Sequence, residues 1–128
     1  FEHLRYMQKK YWKSKLSVSF PRIQKMVGPF QVVHELSDTS MVQLICAFRL
    51  VFPDLGITLS TRESSDFRDK VLRLGVTTMS AESNTAPGGY SGKEESTEQF
   101  EIADHRSLPE IQNQLIKLGY EPVMRDWI

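Results

Sequence analysis

Three short clusters concentrate the polar chemistry of this 128-residue sequence: Ser19-Phe20-Pro21-Arg22, Ser60-Thr61-Arg62-Glu63 and Ser80-Ala81-Glu82-Ser83. Each follows a short run in which apolar residues alternate with small hydroxyl residues. A hydroxyl both donates and accepts hydrogen bonds, a carboxylate accepts, and a guanidinium donates through a fixed fork. If the runs are neighbouring parallel strands, their charged ends converge on one rim, as active-site groups do at the C-terminal ends of barrel strands. The competing reading is loop solubility, and at any single strand it is the simpler one. Recurrence at all three strands is what keeps the functional reading open.

Other chemistry lacks its residues. No glycine-rich phosphate loop is present, since Gly88-Gly89 is an isolated pair. His3, His34 and His105 are scattered and Cys46 is the one cysteine, so no metal-ligand set can be written. Cys46 lies inside an apolar helix pattern and reads as a buried, inert thiol. No nucleophile elbow occurs, and nothing supports a Ser-His-Asp set.

The elements that would carry the clusters follow from periodicity. Leu4, Met7 and Tyr11 recur at helical spacing, which predicts a helix over Glu2–Lys15. Its lysines and aromatic residues could form a nucleic-acid face. A solvated helix with aromatic anchors is the preferred reading. Leu16, Val18 and Phe20 alternate with Ser17 and Ser19, which predicts a strand over Leu16–Phe20. Gln24–Leu36 reads as irregular, with a turn at Gly28-Pro29. Met41, Leu44, Ile45, Phe48 and Phe52 form one stripe of a helix over Thr39–Phe52, capped by Ser37 or Asp38 and stopped by Pro53. A second strand is expected over Gly56–Thr61, a short helix over Ser65–Leu74 closed by Gly75, and a third strand over Val76–Ala81. Glu82–Gln99, rich in Ser, Gly and Glu, reads as a long loop. Gln99–Ile102 suits an edge strand. Ser107 and Glu110 have capping-box spacing ahead of a helix carrying Ile111, Leu115 and Leu118 and closed by Gly119. Glu121–Arg125 is expected as a last strand. Strand and helix alternate from Leu16 to Ala81, the order that yields a parallel α/β sheet.

Bulk properties narrow the classes. Lys plus Arg number 16 and Asp plus Glu number 16, so no net field draws the chain to nucleic acid or membrane. No apolar run approaches the roughly 20 residues a membrane span needs. A lone cysteine excludes an internal disulfide framework and suits a reducing, cytoplasmic setting. The opening Phe1-Glu2-His3 has neither an initiating methionine nor a signal peptide, and is read as a cut within a longer protein.

Against this frame, a collinear set of short segments resembles one family. The segments are Tyr11-Trp12, Ser17-Val18-Ser19-Phe20-Pro21-Arg22, Ile45-Cys46-Ala47-Phe48-Arg49, Leu59-Ser60-Thr61-Arg62-Glu63, Met79-Ser80-Ala81, Pro87-Gly88-Gly89-Tyr90, Glu98-Gln99-Phe100 and Arg125-Asp126-Trp127. Together they span essentially the whole chain and resemble the radical S-adenosylmethionine tyrosine lyases of thiamine thiazole synthesis. The resemblance implies the C-terminal part of a (β/α)8, TIM-like barrel. Residues 1–82 would be the last barrel units. Residues 83–128 would be a loop and helix–strand tail of the kind shared by biotin and thiamine synthesis enzymes.

That family holds a 4Fe-4S cluster through a Cys-x3-Cys-x2-Cys motif, which is missing here, so no metal ligand is expected in this chain. The family implies cleavage of S-adenosylmethionine to a 5′-deoxyadenosyl radical. Loss of hydrogen from the tyrosine amino group and Cα–Cβ cleavage then give 2-iminoacetate (dehydroglycine) and p-cresol. Both small molecules carry an α-carboxylate that suits an arginine fork. Arg62 is the first candidate for it and Arg22 the second. An ion pair between Arg62 and Glu63 is the structural alternative. Ser17, Ser19, Ser60, Thr61 and Ser80 are candidates for further hydrogen bonds to tyrosine or S-adenosylmethionine. Glu63 and Glu82 are candidates to accept from an ammonium or a ribose hydroxyl. Gly88, Gly89 and Tyr90 are a candidate site-covering loop. Thiazole synthase is the partner the family implies. Two alternatives stand beside this reading: the related tyrosine lyase of hydrogenase maturation, and a non-catalytic binding module derived from the enzyme tail.

Overall fold

A computed structural model of the protein describes residues 1–23, 33–85 and 102–124. The first element, α1 (Glu2–Lys10), is shorter than its periodicity predicts. Beyond Tyr11 the stripe has no further apolar member, and Ser14 N–H bonds back to Tyr11 O at 2.9 Å in a turn. Leu4 lies on the core's edge, and Phe1 stacks on Phe48 with ring centroids 4.3 Å apart. The exposed aromatic residues of this region are shielded by lysines. Lys10 sits over Tyr6 and Tyr11, and Lys13 over Trp12, in the geometry of cation–π contacts.

Strand β1 (Ser17–Ser19) leads to α2 (Asp38–Val51). Ser37 is its N-cap, with its Oγ accepting from Ser40 N–H at 3.2 Å. Met41, Ile45 and Phe48 are buried along one stripe, at the i, i+4, i+7 spacing of a helix face. Strand β2 (Gly56–Leu59) follows, then α3 (Ser65–Val71) and a 3-10 turn over Leu72–Leu74. Gly75 ends the turn at φ 98°. Strand β3 (Thr78–Met79) is briefer than expected. Just before it, the Thr77 side chain accepts from Ile57 N–H at 2.9 Å, taking a place that a longer ladder would fill with backbone.

The three strands form one parallel sheet in the order β1-β2-β3, with Val18 beside Ile57 and Leu59 beside Met79. That register divides the sheet into two unlike faces. Ile57 and Leu59 point into a core completed by Met41, Ile45, Phe48, Phe52, Leu55, Phe67 and Val71. Ser17, Ser19, Thr58 and Thr78 share the opposite face, where Ser17 Oγ lies 3.2 Å from Thr58 Oγ1. Parallel sheets are ordinarily covered on both faces. Among the described residues, only the apolar face is covered by helices.

Helix α4 (Leu108–Lys117) carries the expected capping box, with Ser107 N–H donating to the Glu110 carboxylate at 2.7 Å. No strand forms over Glu121–Met124, where Pro122 has no N–H to donate to a ladder. Arg125, the rest of that expected strand, lies outside the described residues. So do most of the expected Gln99–Ile102 strand and the Pro87-Gly88-Gly89-Tyr90 loop. Cys46 is half-buried rather than buried. Among the described residues no helix is long and apolar enough to cross a membrane.

Candidate functional site

The C-terminal ends of β1, β2 and β3 meet on one side of the sheet, as the strand alternation predicts. The end of β2 is a turn. Glu63 N–H donates to Ser60 O at 3.3 Å, and Arg62 N–H donates to Ser60 Oγ at 3.2 Å, a serine side chain reproducing a turn bond. Thr61 and Glu63 are each 2% exposed, while Arg62 between them is half-exposed.

Glu63 is held by Arg22 from the end of β1. Arg22 Nε donates to the two Glu63 oxygens at 2.9 and 3.0 Å, and its Nη2 also donates to Glu63. Its Nη1 donates to Asp38 at 2.6 Å and to Leu36 O at 3.1 Å. The guanidinium lies 4.8 Å from the centroid of the Phe67 ring. The Glu63 hydrogen bond, opposed by burial and aided by Asp38, raises the Arg22 pKa further above its ordinary value. Glu63 thus forms its ion pair with Arg22, which is distant in sequence and adjacent across the sheet.

A second polar network lies under the ends of β2 and β3, and the sequence reading missed it. Ala103 and Asp104 N–H both donate to Thr61 O at 3.0 Å. Arg68, fully buried on α3, donates to Asp104 and to Ser80 O. Asp104 also accepts from Arg106, which reaches Asp69 at 3.0 Å, while Gln114 of α4 donates to Asp69 at 2.9 Å. Burial pulls the Arg68 guanidinium down, against the pull of Asp104. Burial would raise the Asp104 carboxyl, but hydrogen bonds from Arg106 and the charge of Arg68 outweigh it and hold the carboxyl below its ordinary range. Asp104 and Arg106 are close in sequence and could have been paired by eye. Nothing local signals that Arg68 is their partner.

The remaining predicted residues are distributed as follows. Ser17 and Ser19 are exposed on the hydroxyl face, and Ser60 and Ser80 are half-buried at the strand ends. Glu82 has left-handed backbone at φ 49°, and its carboxylate accepts from Leu108 N–H at 2.9 Å, at the start of α4. Such a conformation is uncommon for a non-glycine residue and concentrates at functional turns. Gly88, Gly89 and Tyr90 lie outside the described residues. The chain's residues do not fit an iron–sulfur cluster: Cys46 stands alone on α2, and no group of three or more potential metal ligands occurs among the described residues.

Residues 19–121 match the model of the Biotin and Thiamin Synthesis associated domain. The chain belongs to that family. The domain is 44% identical over 98% of its length to 2-iminoacetate synthase of Salmonella typhimurium, and 42% identical over the same share to that of Escherichia coli. It is homologous to both, and spans about a third of the length of these curated relatives. Among solved structures it is similar to the FeFe-hydrogenase maturase HydG from Carboxydothermus hydrogenoformans, with TM-score 0.77 and 38% identity over 92% of this chain and 27% of that one. A second HydG crystal structure gives TM-score 0.82 at 32% identity, covering 92% of this chain and 26% of that one.

Proposed function

We propose that the domain is the C-terminal portion of a 2-iminoacetate synthase, which cleaves tyrosine between Cα and Cβ to give 2-iminoacetate and p-cresol for thiazole synthesis. The observation that carries the reading is identity of 42–44% maintained over 98% of the chain to two 2-iminoacetate synthases. In this reading residues 1–82 are the last units of a (β/α)8 barrel of the radical S-adenosylmethionine class, and residues 83–128 are its tail. The hydroxyl face of the sheet is the lumen wall. Cluster ligands are supplied by the rest of the whole protein, because Cys46 alone cannot hold a 4Fe-4S cluster.

The domain's own contribution is binding. In this reading Arg62, half-exposed at the β2 rim, takes an α-carboxylate of tyrosine or S-adenosylmethionine through a bidentate, charge-assisted pair. Ser17, Ser19, Ser60 and Ser80 offer hydroxyls along the same face and rim, whereas Thr61 is 2% exposed and has no access to a ligand. Glu82 and the Gly88-Gly89-Tyr90 loop complete the candidate site. Thiazole synthase is the partner this reading calls for, and a reducing, cytoplasmic setting suits it.

The test is anaerobic turnover of the whole protein, cluster-loaded, with tyrosine and S-adenosylmethionine. Release of p-cresol is expected, and a loaded protein that releases none overturns the proposal. The likeness to HydG favours one alternative, a tyrosine lyase of hydrogenase maturation. A second cysteine motif in the whole protein, with carbon monoxide formed alongside p-cresol, would select that alternative.

A further inference from the structure

We propose that Arg22 and Glu63 form a clamp that positions Arg62, rather than contacting a ligand themselves. The inference rests on the reading of Arg62 as the carboxylate-binding residue and adds the device that holds it. Arg22 has its donors committed. Each of its three guanidinium nitrogens already donates within the protein, to Glu63, Asp38 or Leu36 O, and one face of the group lies over Phe67. Glu63 is 2% exposed and both of its oxygens accept from Arg22, which leaves it no access to a ligand ammonium.

The geometry shows what the pair controls. Ser60–Glu63 is a turn with Arg62 at one of its two central positions. One flank of Arg62 is Thr61, whose carbonyl is tied by Ala103 and Asp104. The other is Glu63, tied by Arg22 across the sheet. Arg62 is the residue of these three with solvent access, on a backbone anchored on both sides. A guanidinium reads a carboxylate bidentately only when its approach is fixed, so a loosened anchor weakens binding before it slows chemistry. Arg22 is itself tied to Asp38, so neutralising Glu63 releases the turn while Arg22 keeps its other ties.

The experiment uses the whole enzyme. Glu63→Gln is expected to raise the tyrosine KM about tenfold with kcat within about twofold, the signature of lost binding. Arg22→Lys, which keeps the charge and loses the fork, moves KM in the same direction. In an Arg62→Ala background, Glu63→Gln adds less than about twofold, because its effect passes through Arg62. An unchanged KM, or the same penalty in both backgrounds, overturns the clamp. If the unaltered enzyme releases no p-cresol, the lyase reading fails while the clamp is still decided by labelling. The rate at which a guanidinium-selective dicarbonyl modifies Arg62 is then expected to change at least about fivefold in Glu63→Gln, since that rate follows the arginine's local geometry. An unchanged rate overturns it.

Discussion

Buried charge dominates at the scale of single residues. Arg68 and Asp104 are both fully buried, and removing one partner leaves the other as an uncompensated charge. Asp104→Asn is therefore expected to destabilise the whole protein by about 3–5 kcal/mol, read by urea unfolding. A pH dependence follows from the same pair. The Asp104 carboxyl is held below its ordinary value of 3.8, so it contributes stability above the unfolded pKa and loses it as pH falls through the depressed folded value. Unfolding measured from neutral pH down into that acid range should show a steeper loss for the unaltered protein than for Asp104→Asn. Equal slopes would remove Asp104 from the account. Arg62→Ala is expected to weaken tyrosine binding by about tenfold to a hundredfold, since a charge-assisted bond is worth about 1.5–3 kcal/mol. Equilibrium binding to the whole enzyme measures this.

Helices and strands are joined by turns whose chemistry is specific. Gly75 closes the α3 segment at φ 98°, and a Cβ there would lie 2.6 Å from Arg49 Nε. Arg49 also donates to Gly75 O, so the glycine is needed both for the left-handed backbone and for the approach of α2. Gly119 has φ 87° but open space where a Cβ would sit. Gly75→Ala should cost the left-handed penalty of about 1–2 kcal/mol plus displacement of Arg49, whereas Gly119→Ala should cost the backbone penalty alone. Melting temperatures of the two variants of the whole protein should rank in that order. Element type was legible wherever periodicity was long, as in α2 and α4. The strands came out shorter than their alternation, because ladder length depends on a neighbour. Among the described residues β3 pairs with β2 alone and takes its Thr77 position through a side chain.

The described residues form a three-stranded parallel sheet in the order β1-β2-β3. Among the described residues, the outer edges of β1 and β3 have no strand partner and the hydroxyl face has no covering layer. Unpaired edges recruit other strands. The isolated 128-residue chain should therefore associate in solution, with a mass by light scattering above the monomer's 14.8 kDa that grows with concentration. A concentration-independent monomer would show that the edges are closed within the chain.

The sequence by itself determined the α/β order, the sharing of one rim by the three strand ends, and the capping of α2 and α4. Each of these depends on residue spacing within a few turns or one strand. It also carried the family, because the ordered segments are spread along the chain. Tertiary structure alone decided which charges pair. Arg22 and Glu63 are 41 residues apart, and Arg68 and Asp104 are 36 apart. No periodicity links such positions, and the parallel register brings them within hydrogen-bond reach. The roles divide for the same physical reason. Arg22, Glu63 and Arg62 look equally suited to a ligand as residue types, and only the fold buries Glu63 against Arg22 and leaves Arg62 half-exposed at the rim.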